Sequence, residues 1–183
     1  MKKIGIMGAG SWGTALAILL SNNGHDVTVW SIDKNEVEML SEKREHTSKL
    51  PGVVIPDHIV FTNDIQDGIL EKDGVVRAVP APFTRSTARS MKPFVKEGQI
   101  LVNVAKGIEE STLMTLSEQI EEEIPQAKIA VLSGPSHAEE VAREVPTAVV
   151  IASKSKETAE FIQKECSSSV PRMYVNTDVL GCE

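Results

Sequence analysis

The feature that most constrains this chain is a glycine turn near its start, Gly8-Ala9-Gly10-Ser11-Trp12-Gly13. A short apolar run ending in Ile4-Gly5-Ile6-Met7 precedes it, and Thr14-Ala15-Leu16-Ala17-Ile18-Leu19-Leu20 follows. The first run has the length of a strand, and the second reads as a buried helix. The G-x-G-x-x-G spacing alone is weak and recurs by chance in glycine-rich loops. Between a strand and a helix it becomes a dinucleotide fingerprint. Gly8 permits the tight turn, Gly10 leaves room for a pyrophosphate against the backbone, and Gly13 with Ala17 lets the helix lie close to the strand. The helix N-terminus adds free N–H groups and partial positive charge for the phosphates.

The second strand, Asp26-Val27-Thr28-Val29-Trp30, follows a stop at Asn23-Gly24-His25, where Gly24 suits a left-handed helix cap. The tip of that strand, Ser31-Ile32-Asp33-Lys34, bears on the choice of coenzyme. Asp33 is a candidate for the acid that meets the adenosine ribose of NAD, and equally a cap for the helix over 35–43. Ser31 could bond a hydroxyl or a phosphate, and Lys34 could meet the 2′-phosphate of NADP or stay solvated. With neither a clear ribose acid nor an arginine there, modest discrimination is expected, below roughly a thousandfold.

Further along, the residues predict a brief strand at 59–61 and a helix from 62–64 to Leu70. A buried strand at 74–80, a helix at 84–91 and a strand at 100–104 follow. A helix capped by Ser111 or Thr112 runs to about Glu123, and a strand covers 129–132. A helix opened by Gly134 and Ser136 reaches about Arg143. A strand at 147–152, a helix at 156–166 and a strand at 172–176 close the series. Alternating strands and helices with near-continuous apolar strands imply an α/β domain with a doubly wound, mostly parallel sheet. The 183 residues suffice for one well-cored domain, here a dinucleotide-binding domain over 1–183. Arg77 interrupts the apolar strand at 74–80 and so requires a partner or an edge.

Lys106 stands just beyond the carboxyl end of the 100–104 strand, on the same crevice as Gly10. The start of the helix after Ser133-Gly134-Pro135-Ser136 is a second candidate anion site. His137, alone in that first turn, reads as a packing or capping residue more readily than as an acid or base.

There are 26 acidic and 19 basic residues, a net charge of -7, which argues against a nucleic-acid footprint. No apolar stretch reaches the length of a membrane span, and the start does not read as a secretory leader. Cys166 and Cys182 make no disulfide framework, so an intracellular, cytoplasmic protein is the expectation. The four histidines and two cysteines show no metal-ligand spacing. Hydrolase and nucleoside-triphosphatase motifs are missing.

The chain resembles the N-terminal domain of bacterial NAD(P)-dependent glycerol-3-phosphate dehydrogenases. The resemblance runs through the glycine turn, Asn23-Gly24-His25, Leu50-Pro51-Gly52 and Ala78-Val79-Pro80. It continues through Ala105-Lys106-Gly107-Ile108-Glu109, Leu132-Ser133-Gly134-Pro135-Ser136, Pro146-Thr147-Ala148-Val149-Val150 and Asn176-Thr177-Asp178-Val179. The lysine and Ser-Gly-Pro-Ser stretches together are its most specific part. It implies hydride transfer between NAD or NADP and the dihydroxyacetone phosphate/glycerol 3-phosphate pair, for glycerophospholipid synthesis. It assigns cofactor contacts to Ser11, Trp12, Lys106 and Ala138, beside Gly8, Gly10, Gly13, Ile32 and Asp33 from the glycine turn and the strand tip, and substrate contacts to Lys106, Gly134 and Ser136. The resemblance implies a supporting catalytic role for Lys106, no metal, and a homodimer for the full-length enzyme.

The chain departs from the family at Ile32, often arginine where NADP is served, at His137, usually phenylalanine, at Arg143-Glu144-Val145, and at Arg77. Family members continue into a Gly-Gly-Ala-Leu-Lys-Asn stretch, whose lysine moves the proton, and then into an all-helical substrate domain. On that expectation this chain stops before both and is inactive alone. Two other readings stay open: a related hydroxyacid dehydrogenase of the same superfold, against which Ser133-Gly134-Pro135-Ser136 argues, and a dinucleotide-binding module without catalysis.

Overall fold

A computed structural model of the chain describes residues 1–167 and 172–183. The strands are β1 Lys3–Met7, β2 Asp26–Trp30, β3 Val60–Thr62, β4 Gly74–Arg77, β5 Ile100–Asn103, β6 Lys128–Ser133, β7 Ala148–Ala152 and β8 Arg172–Asn176. The helices are α1 Ser11–Asn22, α2 Lys34–Lys43, α3 Thr84–Met91, α4 Leu116–Glu123, α5 Ala138–Ala142, α6 Lys156–Cys166 and α7 Val179–Cys182. The strands form one sheet in the order β3-β2-β1-β4-β5-β6-β7-β8. Every pair is parallel except β6 with β7.

The mostly parallel sheet follows from residues that are buried on both faces. Four of the five residues of β1 and of β2, and all four of β4, are buried. One apolar layer runs from Ile6, Leu16, Leu20 and Val27 across to Ile151 and Met173. The opposite layer gathers Met7, Ile69, Val75, Leu101 and Ile120. The chain leaves β1 towards β2 and β3, then returns to build β4 on the other side. At that reversal the loops after β1 and β4 part and leave a crevice at the carboxyl ends. Met7 lies opposite Trp30 on one side and Arg77 on the other, so Gly8, Ser31 and Ala78 leave the sheet at one level.

The glycine turn has the expected build. Gly8 takes φ +113°, and a Cβ on Gly13 would collide with the Gly8 carbonyl. The helix after it begins at Ser11, earlier than the apolar run suggests, because Gly10 serves as N-cap. Gly24, at φ +83°, turns the chain out of α1.

Several boundaries differ from the sequence reading. Residues 65–71 form turns, not a helix. There the Gly68 carbonyl rests on the bare Cα of Gly5, and Glu71 is left-handed, so the segment hugs β1 in a path that no regular helix follows. α4 begins at Leu116, not after Ser111 or Thr112. Thr115 and Glu118 close a capping box there, while residues 109–114 turn back through the left-handed Leu113. α5 has five residues, with Gly134 and Ser136 ahead of it in the loop, so it is too short for an N-terminal anion site. The strand expected to run to Pro80 pairs only as far as Arg77.

Arg77 is 2% exposed. Its guanidinium donates to Asn103 Oδ1 at 2.8 Å, to Thr84 Oγ1 and to the Pro80 carbonyl. Its Nε has no partner among the described residues. Burial pulls its pKa down to about 10, against the pull of the Glu183 carboxylate.

Candidate functional site

The crevice between β1 and β4 opens into a cavity of about 490 Å³. Its floor is the glycine turn, with Gly8, Gly10, Ser11 and Trp12 all on the wall. Ala78, Val79 and Pro80 after β4 form the opposite side, and Ile32, 82% exposed, stands at one end. The first bond inside α1 runs from the Thr14 N–H to the Gly10 carbonyl at 2.9 Å. The N–H groups of Ser11, Trp12 and Gly13 therefore have no partner in the helix, and no side chain caps them. A Cβ at Gly10 would meet nothing within 4 Å of protein. The bare Cα thus borders open space in front of unpaired N–H donors, a cradle suited to a phosphate.

Trp12 also lines a second, smaller cavity of about 230 Å³, with Lys106, Ser133, Gly134 and Ser136. Lys106 leaves the loop after β5, and the other three leave the end of β6. The Lys106 ammonium donates to the Gly134 carbonyl at 3.0 Å. Among the described residues its other two donors have no partner. The structure thus brings Lys106, Gly134 and Ser136 to one cationic recess that meets the larger cavity at Trp12.

Other residues singled out from the sequence lie elsewhere. Gly13 is buried beneath the turn. Asp33 caps α2 by accepting from the Asn35 N–H at 2.9 Å and is not on the cavity wall. Lys34 faces Glu38 one turn on, at 3.8 Å. Ala138 opens α5 and is buried in the core, away from both cavities. His137 is the exposed N-cap of α5, and its side chain makes no capping bond.

Two residues at the β2 end of the larger cavity were not singled out from the sequence: Glu36 and Lys49. The Glu36 carboxylate accepts from Ser31 Oγ at 2.6 Å, Lys49 Nζ at 2.5 Å and His46 Nε2 at 3.1 Å. Burial alone would raise its pKa. Hydrogen bonds from Lys49 and Ser31, the Lys49 charge and the His46 bond outweigh burial and hold it below the usual carboxylate range. Glu36 follows three residues after the Asp33 cap, a spacing that reads as helix capping. Lys49 reaches it from the middle of a loop, so sequence spacing gives no sign of the pairing.

Among the described residues no cluster of His, Cys, Asp or Glu could hold a metal ion. No described helix is long and apolar enough to cross a membrane. Burial lifts the Cys166 thiol to about 12, which suits its place against the core.

Residues 3–159 match the family model described as NAD-dependent glycerol-3-phosphate dehydrogenase N-terminus. The whole chain aligns at 58% identity with a glycerol-3-phosphate dehydrogenase (NAD(P)+) of Agathobacter rectalis, covering 54% of that relative. It aligns at 44% identity with one of Fusobacterium nucleatum, covering 55%. The crystal structure of a glycerol-3-phosphate dehydrogenase from Coxiella burnetii superposes with TM-score 0.93 at 30% identity, over 98% of this chain and 55% of that one. The chain therefore spans about half the length of the relatives it matches.

Proposed function

This chain belongs to the NAD-dependent glycerol-3-phosphate dehydrogenase family, as an N-terminal domain, and on that premise we propose that residues 1–183 form a single dinucleotide-binding domain. It holds NAD or NADP in the larger cavity and presents the nicotinamide end to dihydroxyacetone phosphate or glycerol 3-phosphate beside Lys106. The observation that carries this reading is the meeting of two cavities at Trp12: a groove with a bare Gly10 under unpaired N–H groups, and a recess with a cation.

The Gly10 cradle and the start of α1 fit a pyrophosphate, with Ser11 and Trp12 as its nearest donors. The coenzyme, when bound, supplies or accepts the hydride. The chain's own part is to bind, orient and polarise. Lys106 carries positive charge to the mouth of the recess, where it favours a carbonyl or phosphate oxygen gaining negative charge. Its bond to Gly134 fixes the side chain while leaving two N–H donors for that oxygen. Ser136 adds a hydroxyl, and the Gly134 carbonyl anchors the lysine. Ile32 offers an apolar face at the far end. Supply of glycerol 3-phosphate for glycerophospholipid synthesis, by a cytoplasmic homodimer, belongs to the same proposal and rests on the family resemblance alone.

The test uses NADH titration of the chain, followed by tryptophan fluorescence, and turnover of dihydroxyacetone phosphate by the complete gene product. Lys106→Met should lower turnover by at least about a hundredfold, while the NADH dissociation constant changes by less than about threefold. Equal losses in binding and turnover would move Lys106 out of the reacting end of the site.

A further inference from the structure

The β2 end of the larger cavity is lined by one carboxylate and one cation, Glu36 and Lys49. Lys49 is bound to Glu36 itself. Lys34 faces Glu38. Arg44 donates to the Ile59 carbonyl at 2.8 Å and stacks over Phe61. The residue at the rim, Ile32, carries no charge. Of these cations only Lys34, in an exposed and long ion pair, keeps all its donors free among the described residues, and it lies off the cavity wall.

Glu36 is fixed in one orientation. Its side chain is 12% exposed. Oε1 takes both Lys49 Nζ and His46 Nε2, so its two lone pairs are used. His46 is buried, and its Nδ1 accepts from the Lys49 backbone N–H at 3.4 Å, which assigns the ring proton to Nε2. Among the described residues Oε2 receives only Ser31 Oγ. One acceptor position on Oε2 therefore remains, on a side chain that forms part of the cavity wall. In a sheet of this topology the adenosine ribose lies at the tip of the second strand and offers two hydroxyl donors.

We infer that Glu36, held by Lys49, His46 and Ser31, is the coenzyme-selecting residue of this domain: it accepts a ribose hydroxyl of NAD and disfavours the 2′-phosphate of NADP. This rests on the dinucleotide reading above and deepens it. Asp33, the acid expected from the sequence, caps α2 through Oδ1 and lies off the cavity wall, whereas Glu36 lies on it. The charge of Lys49 offsets part of the repulsion, so the preference is moderate. Lys49 is also a latent phosphate ligand, which removal of the Glu36 charge would release. Selection would then change in both directions at once.

The experiment measures dissociation constants of NADH, NADPH and 2′-deoxyadenosine-NADH by calorimetry, with wild type, Glu36→Gln and the double variant Glu36→Gln/Lys49→Met. Wild type should prefer NADH over NADPH by more than about tenfold and bind the 2′-deoxy analogue about tenfold more weakly than NADH. Glu36→Gln should weaken NADH and tighten NADPH, bringing the two within about threefold. The double variant should lose the gain for NADPH. Wild-type binding of NADH and NADPH with equal affinity, or a Glu36→Gln preference like that of wild type, would overturn the inference and leave the dinucleotide reading standing. Binding of neither coenzyme by wild type would overturn both. The 2′-deoxy comparison needs no substitution, so a poorly folded variant does not remove the test.

Discussion

Gly10 and Gly13 sit three residues apart in one motif, yet the structure gives them different duties. A Cβ at Gly13 would strike the Gly8 carbonyl, whereas a Cβ at Gly10 would meet nothing. Gly10 has φ -65°, which any residue adopts. Gly13 is therefore required by the fold, and Gly10 only by what lies over it. Gly10→Asn, which keeps a good helix N-cap, should unfold in urea within about 1 kcal/mol of wild type. It should bind NADH at least about tenfold more weakly, because its side chain fills the cradle. Gly13→Ala should lose about 1–3 kcal/mol of stability through overpacking. A stable Gly10→Asn with wild-type NADH affinity would remove the pyrophosphate from this turn. Arg77 shows the same limit of sequence reading at residue scale. A cation inside a buried strand announces the need for partners. Their identity, Asn103 on β5 and Thr84 on α3, emerges only from the packing of three elements.

Among the elements, the loop over 105–115 matters most, because it carries Lys106. Arg85 on α3 forks onto both Glu109 oxygens at 2.8 Å and also reaches Glu122 and Glu123 at α4. Thr112 adds a bond to the same Glu109 carboxylate. The Arg85 hydrogen bonds, then that of Thr112, hold the Glu109 carboxyl down at about 2. Since the folded pKa lies below the ordinary value of 4.5, the tie is complete above that pH. It is lost as pH falls through about 2. Hydrogen-exchange protection factors for residues 107–114 should fall over that window. In Glu109→Gln they should already be low at pH 6 and show no step. A pH-independent loop in wild type would mean that packing, not this ion cluster, holds Lys106. Such ties also explain which elements the sequence disclosed. β2, α3, α6 and β8 have the residue ranges that their patterns predict, because a stop signal or a clear change of periodicity marks each end. The helix expected to reach Leu70 failed because the close crossing of Gly68 over Gly5 is a tertiary constraint. The start of α4 was misplaced because Thr115 and Glu118 outcompete Ser111 and Thr112 as a cap. The Lys49–Glu36 pair was hidden because a loop brings it together across thirteen residues.

On the scale of the whole molecule, the antiparallel join of β6 to β7 raises the question whether β7, α6 and β8 form a separate unit. The apolar layer answers it, since it continues without a break from Ile4 and Val27 to Val149, Ile162 and Met173. Val141 of α5 joins that layer on the α1 side, and Asn23 and His25 after α1 bond the Glu165 carbonyl at the end of α6. The recess that holds Lys106 and Gly134 lies above β5 and β6, next to the antiparallel join, so the proposed substrate side of the site depends on the appended strands as much as on the glycine turn. One contiguous core implies one cooperative transition. Ile162 of α6 is 3% exposed and lines a small apolar space with Leu16, Leu19 and Leu20 of α1 and Met173 of β8. Ile162→Ala should therefore cost about 2–5 kcal/mol. It should lower the urea midpoint of the Trp12 and Trp30 fluorescence change by the same amount as that of the far-ultraviolet circular dichroism. A variant whose tryptophan transition stays at the wild-type midpoint while part of the dichroism is lost earlier would show that β7, α6 and β8 unfold on their own. The cationic recess would then rest on a part of the molecule that can open while the dinucleotide crevice stays closed.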